Sequence, residues 1–100
     1  MYASTLLINV NPDQVDHASQ VWSAITRDVL SKEPGSRGAY LLNPPGTGKL
    51  KVVGFWEAEA DARAYEASGR LAQHYAAFFA LSDGTPPERE VFNVVGNVFP

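Results

Sequence analysis

One hundred residues with 45% apolar side chains make one small globular domain (residues 1–100), with no excess of charge that would point to disorder. The net charge of −3 and pI near 5.2, with Lys and Arg scattered along the chain, leave no basic stripe for nucleic acid or an anionic membrane. There is no cysteine, which removes disulfides and thiolate chemistry, and the N-terminus lacks the basic lead and apolar length of a signal peptide or span, so a cytoplasmic protein is expected.

Tyr2 to Val10 is rich in Thr, Leu, Ile and Val over a strand length. Leu6, Ile8 and Val10 would share one face, and Thr5, Leu7 and Asn9 the other. "NPDQ" then reads as a helix start, with Asn11 as N-cap, Pro12 in the first turn and Asp13 favoured by the helix dipole. Val15, Ala18, Trp22, Ile25 and Val29 follow at steps of 3 and 4, the spacing of one buried stripe. "KEPGSRG" ends the helix, because proline cannot continue it and the glycines supply turn conformations.

Two strands come next, Gly38 to Asn43 and Leu50 to Glu57. Their connector "PPGTGK" is too short for a crossover helix, so the pair is antiparallel. It is no phosphate-binding loop: Asn43 and Leu50 stand where that motif needs Gly and Ser or Thr, and a strand follows rather than a helix. From Ala58 to Leu81 the composition is helical, interrupted by Gly69. A continuous helix would align Ala60, Ala64, Ala67, Leu71, Tyr75 and Phe78 on its inner face. Tyr65 falls off that stripe and turns inward only if the helix breaks near Gly69. "SDGTPP" breaks the chain again. The run "EREVFNVVGNVF" is then a final strand of about a dozen residues, with Phe92, Val94, Gly96 and Val98 on one side.

This β-α-β-β-α-β order is the ferredoxin-like unit, an α+β fold with a four-stranded antiparallel sheet and helices on one face. Each strand offers apolar residues to both faces (Leu6 and Leu7, Val52 and Val53), where a solvated face would read polar. A homodimer, sheet against sheet, is the expected way to cover the second face, and the long last strand is expected to reach toward the partner.

"PGSRG" (Pro34 to Gly38) and "FWEAEADARAYEAS" (Phe55 to Ser68) resemble the Pro-Gly-x-x-Gly turn and the Trp-Glu-Ser-x-x-Ala stretch of the antibiotic-biosynthesis monooxygenase family, with Ala58 in place of Ser. The resemblance implies a dimeric α/β barrel with a pocket between sheet and helices in each subunit. Haem-degrading members use an Asn on the first strand, a Trp on the second helix and a His about nine residues later. Here Tyr65 stands nine residues before His74, and the strand position falls on Leu7, with Asn9 two residues on. Haem is therefore a weak second to the cofactor-free oxygenation that the family also implies.

Trp56, at the border of strand and helix, is expected to plug one end of the sheet–helix layer, to wall a pocket, or both. His74 falls about 60° from the centre of the inner stripe, at the edge of the apolar face. It is the candidate proton acceptor. Asn9 or Tyr65 would orient the substrate, Trp56, Phe78 and Tyr75 would shape its pocket, and Arg70 would meet an anionic group beside His74. A metal at His17, near Asp13 and Asp16, is not expected. The function expected is a small monooxygenase acting on a quinol or polyketide-type phenol without a tightly bound cofactor. The alternatives are a non-catalytic barrel binding a small apolar ligand or haem, and a cyclase or isomerase using the same base.

Overall fold

The computed structural model describes residues 1–100. Strand β1 (Tyr2–Asn9) leads through a 3-10 turn (Pro12–Gln14) into α1 (Val15–Lys32). Strands β2 (Ser36–Leu42) and β3 (Lys49–Trp56) follow, then three short helices, α2 (Glu59–Ala67), α3 (Arg70–His74) and α4 (Ala76–Phe79), and finally β4 (Glu88–Asn93). The strands pair in the order β2-β3-β1-β4, every neighbour antiparallel. This is the ferredoxin-like arrangement that the element order predicts.

Local chemistry sets the helix boundaries. Asn11 is extended, and its Oδ1 accepts the Asp13 N–H at 3.3 Å while Pro12 occupies the first turn. At the other end Glu33 returns to extended backbone after its N–H reaches the Val29 carbonyl at 2.8 Å. Gly35 has φ of +79°, and a side chain there would run into the Asp61 carboxylate, so this turn requires glycine twice over.

The helical face of the sheet holds two packed groups. Ile8, Val10 and Leu50 meet Ala18 and Trp22 of α1 and Phe78 of α4. Tyr2 and Trp56, directly opposite each other on β1 and β3, meet Val29, Ala62 and Tyr65. On the other face, strand alternation gathers Leu7, Tyr40, Leu42, Val53, Phe55 and Phe92, with Tyr40 and Phe55 edge to face at 6.2 Å. Tyr40, Leu42 and Phe92 are exposed, and no segment of this chain covers them. No helix is long and apolar enough to cross a membrane.

Two expectations are corrected. The final strand does not run a dozen residues: it stops at Asn93, which pairs with Tyr2, the first residue of β1. One further bond, Val94 N–H to the Met1 carbonyl at 2.9 Å, ends the association. Val95, Val98 and Phe99 then stand 96%, 96% and 80% exposed. The second helix is not continuous either. Gly69 takes the left-handed conformation with φ of +78° and separates α2 from α3. The break changes the helical phase, so Ala60, Ala64 and Ala67 face solvent, while Ala62 and Tyr65, three residues apart, make the buried face of α2. Tyr65 turns inward, as it must when the helix breaks there.

Candidate functional site

Between sheet and helices lies a recess of about 730 Å3 counted with its open mouth, narrowing to an inner void of about 100 Å3. Its floor is a row of small residues across the sheet: Ser4, Gly54 and Ala39 stand side by side on β1, β3 and β2. Gly54 is the centre of that row. A Cβ placed on it would meet Ser4 Oγ at 3.6 Å, the Trp56 indole nitrogen at 3.8 Å and the Ser4 carbonyl oxygen at 4.0 Å, all ordinary contact distances, so a larger side chain there would take up space in the recess. The inner void is smaller than the roughly 150 Å3 that admits benzene. An aromatic ring therefore enters with its outer part in the mouth or with rim side chains displaced.

Of the residues singled out from the sequence, Trp56, Tyr65, Tyr75 and Phe78 all line this recess. Trp56 is at once the plug of the second packed group and a cavity wall, its ring 5.4 Å from that of Tyr65. The Tyr75 hydroxyl is hydrogen-bonded to Thr26 Oγ1 at 2.9 Å, and burial pushes its pKa upward. Burial likewise holds the Tyr65 phenol well above its ordinary range, so Tyr65 is a neutral hydroxyl at working pH.

His74 is not a lining residue. It stands behind Tyr65, its Nδ1 hydrogen-bonded to the Tyr65 hydroxyl at 2.9 Å, with the two rings stacked 5.8 Å apart. The pair thus joins the recess to an imidazole outside it. A neutral phenol both accepts and donates, so the Tyr65 hydroxyl can donate to Nδ1 and still accept one further hydrogen bond.

Arg70 also stays out of the recess. Its Nε and Nη2 donate to the two oxygens of Glu33 at 2.7 and 2.9 Å, and its guanidinium carbon lies 5.8 Å from the Tyr65 ring centre. The anion beside this arginine is therefore a residue of the protein itself. Hydrogen bonding to Arg70 holds the Glu33 carboxyl below its ordinary range against the opposing effect of burial. A depressed carboxylate stabilises the fold fully above its unfolded pKa of about 4.5, and that contribution is lost as pH falls through the folded value. Glu33→Gln is accordingly expected to lower the urea midpoint at pH 7 and to converge on the parent as the pH falls below 4. A gap that persists unchanged on acidification would contradict this.

Asn9 does not join the group. Strand alternation puts its side chain on the sheet face away from the helices, at the end where its carbonyl accepts the Asp83 N–H at 2.8 Å. The orienting role expected of it has no geometry here, because the sheet itself lies between. Sequence reasoning passed over Ser4, Ala39, Gly54 and Thr26. The signal for the first three is small residues at positions that become neighbours only once strand register is assigned. No three His, Asp or Glu side chains gather as a metal-binding set. Nor do the residues present fit haem: the inner void is smaller than a benzene site, and His74 is shielded from it by Tyr65.

The model of the antibiotic biosynthesis monooxygenase family matches residues 1–81. The chain belongs to that family. Among solved structures it is similar to the ActVA-Orf6 monooxygenase of Streptomyces coelicolor, solved with nanaomycin D, at 18% identity and TM-score 0.81 over 99% of this chain and 91% of that one. It is also similar to SnoaB of Streptomyces nogalater, a cofactor-independent oxygenase, at 17% identity and TM-score 0.74 over 97% and 95% of the two chains. A third similar structure is the NE2512 protein of Nitrosomonas europaea, whose function is unknown, at 19% identity, TM-score 0.73 and coverage of 99% and 93%. At these identities the structural likeness speaks for the fold alone. No curated protein sequence matches the chain.

Proposed function

We propose that this member of the family is a monooxygenase that oxidises an electron-rich phenol or quinol without a tightly bound cofactor. The observation that carries the reading is the Tyr65–His74 hydrogen bond at the wall of an apolar recess. Oxygenation without a cofactor requires the substrate to supply the electrons, and a phenolate supplies them far more readily than a phenol. The substrate hydroxyl donates to Tyr65, Tyr65 passes its own proton to His74 Nδ1, and the phenolate that forms reduces dioxygen by one electron. Recombination at a ring C–H carbon gives a hydroperoxide, and loss of water leaves a carbonyl. One oxygen atom ends in the product and the other in water. Trp56 and Phe78 hold the ring, and the Tyr75 hydroxyl, tied to Thr26, sets its orientation. The family match over residues 1–81 supports the reading, and a cofactor-independent oxygenase shares the fold.

The test is oxygen uptake by chelator-treated protein with a panel of anthrones and quinols, using Gly54→Leu as the control. The leucine side chain would grow into the recess and is expected to reduce substrate-dependent uptake to background while the protein remains folded. Turnover without oxygen uptake would redirect the same base to isomerase or cyclase chemistry. Uptake unaffected by Gly54→Leu would move the reaction out of this recess.

The active form is a homodimer in this reading. The open sheet face with Tyr40, Leu42 and Phe92 and the apolar end of the chain with Val95, Val98 and Phe99 are its two unpartnered surfaces. A monomeric mass by light scattering at micromolar concentration would rule that out.

A further inference from the structure

The recess is lined by two charged residues only, Glu66 of α2 and Arg89 of β4, and they are paired with each other. Both lie on the helical side of the sheet, so a partner covering the opposite face leaves them accessible. The pair is not sealed: the Arg89 and Glu66 side chains are 48% and 28% exposed. It also uses little of what the arginine offers. Nη2 of Arg89 donates to Glu66 Oε1, a one-point contact, whereas Arg70 grips Glu33 through two nitrogens and both oxygens. The guanidinium carries five N–H donors in a fork that matches a carboxylate in two-point contact. Arg89, half-exposed, therefore presents unused donors on the lining of a recess that is otherwise mostly apolar and whose wall includes Tyr65 and Tyr75.

The geometry points to Arg89 as a specificity-determining residue that recruits a carboxylate on the substrate, with Glu66 holding its place in the empty site. This rests on the aromatic-substrate reading above and narrows it. The substrate class is a phenol or hydroquinone whose ring enters the void hydroxyl-first and whose acidic group remains at the mouth. The size of the recess agrees, since the inner void is smaller than a benzene site, so part of the ring and any acidic group on it remain outside the void. A carboxylate in the mouth exchanges a one-point contact with Glu66 for a two-point contact, and Glu66, then repelled, turns to solvent. Glu66 consequently opposes acid binding in the free protein, and removing its charge should help.

Binding is measured by calorimetry under nitrogen, so that no turnover is needed, with two probes: gentisate, a hydroquinone with one carboxylate, and its methyl ester. The native protein is expected to prefer the acid. Arg89→Ala is expected to weaken gentisate roughly tenfold or more, the loss of a two-point charged contact, with ester affinity changed less than about twofold. Glu66→Gln is expected to tighten gentisate several-fold and leave the ester unchanged. A pair serving only to strap α2 to β4 would give no such discrimination between acid and ester. Equal affinity of the native protein for the two probes, or Arg89→Ala weakening both alike, overturns the assignment while leaving the aromatic recess standing. If neither probe binds at millimolar concentration, the recess is not an aromatic site and the proposed function falls with it.

Discussion

Tyr65→Phe is expected to lower turnover about 10²–10⁴-fold, the usual worth of a positioned proton acceptor, with little change in the shape of the recess. Only the hydroxyl bonded to His74 is removed. His74→Ala should cost a similar factor, although His74 does not line the recess, because in this arrangement it acts through Tyr65. The double variant should then be no slower than either single one, since the two side chains form one path. Folding does not confound the comparison. One neutral hydrogen bond is worth about 0.5–1.5 kcal/mol, a minor part of the stability of a domain of this kind. Losses that multiply in the double variant would show two independent roles. A normal rate for Tyr65→Phe beside a dead His74→Ala would mean that the imidazole reaches the substrate by another route.

That pairing shows what could be read from the chain and what could not. Nine residues separate Tyr65 from His74, and a single straight helix would put them on different faces, so their meeting depends on Gly69. A glycine inside a helical pattern announces a possible break, but not the angle at which the chain resumes. The stripe extrapolated back from Leu71, Tyr75 and Phe78 therefore selected Ala60, Ala64 and Ala67 instead of Ala62 and Tyr65. Patterns that repeat within one element were legible: the alternation of β1 holds, Asn11–Pro12 opens the helical segment through a 3-10 turn, and the stripe from Val15 to Val29 buries Ala18, Trp22 and Val29, with Thr26 as its fourth buried member and Ile25 half-buried.

Pairings across elements were not legible. Glu33 and Arg70 are 37 residues apart, and Glu66 and Arg89 are 23 apart, and in each case both members look like ordinary solvated charges until the fold brings them together. The floor of the recess has the same character. Ser4, Ala39 and Gly54 are unremarkable singly and become a row only through the register of three strands. The residues after Asn93 mark the opposite limit, because their apolar alternation is real but strand pairing requires a partner, and the ladder with β1 ends at Tyr2.

Phe78→Ala is expected to be the most damaging single change to stability. Phe78 is fully buried where α4 meets β1 and α1, and truncating a buried phenylalanine costs about 3–5 kcal/mol. In a domain of this size each kcal/mol moves the unfolding midpoint by roughly 4–8 °C, so a fall of about 15 °C or more is expected. Phe99→Ala is the informative contrast. That ring is 80% exposed in the single chain, so its removal should leave thermal unfolding of a dilute monomer nearly unchanged. If the chain end lies against a second subunit, the same substitution should instead shift the concentration at which dimers dissociate. The two variants thus separate burial made by one chain from burial that needs two. Equal, small effects of both on unfolding would show that Phe78 is not the keystone of this core and that the packing of α4 onto the sheet is wrongly placed.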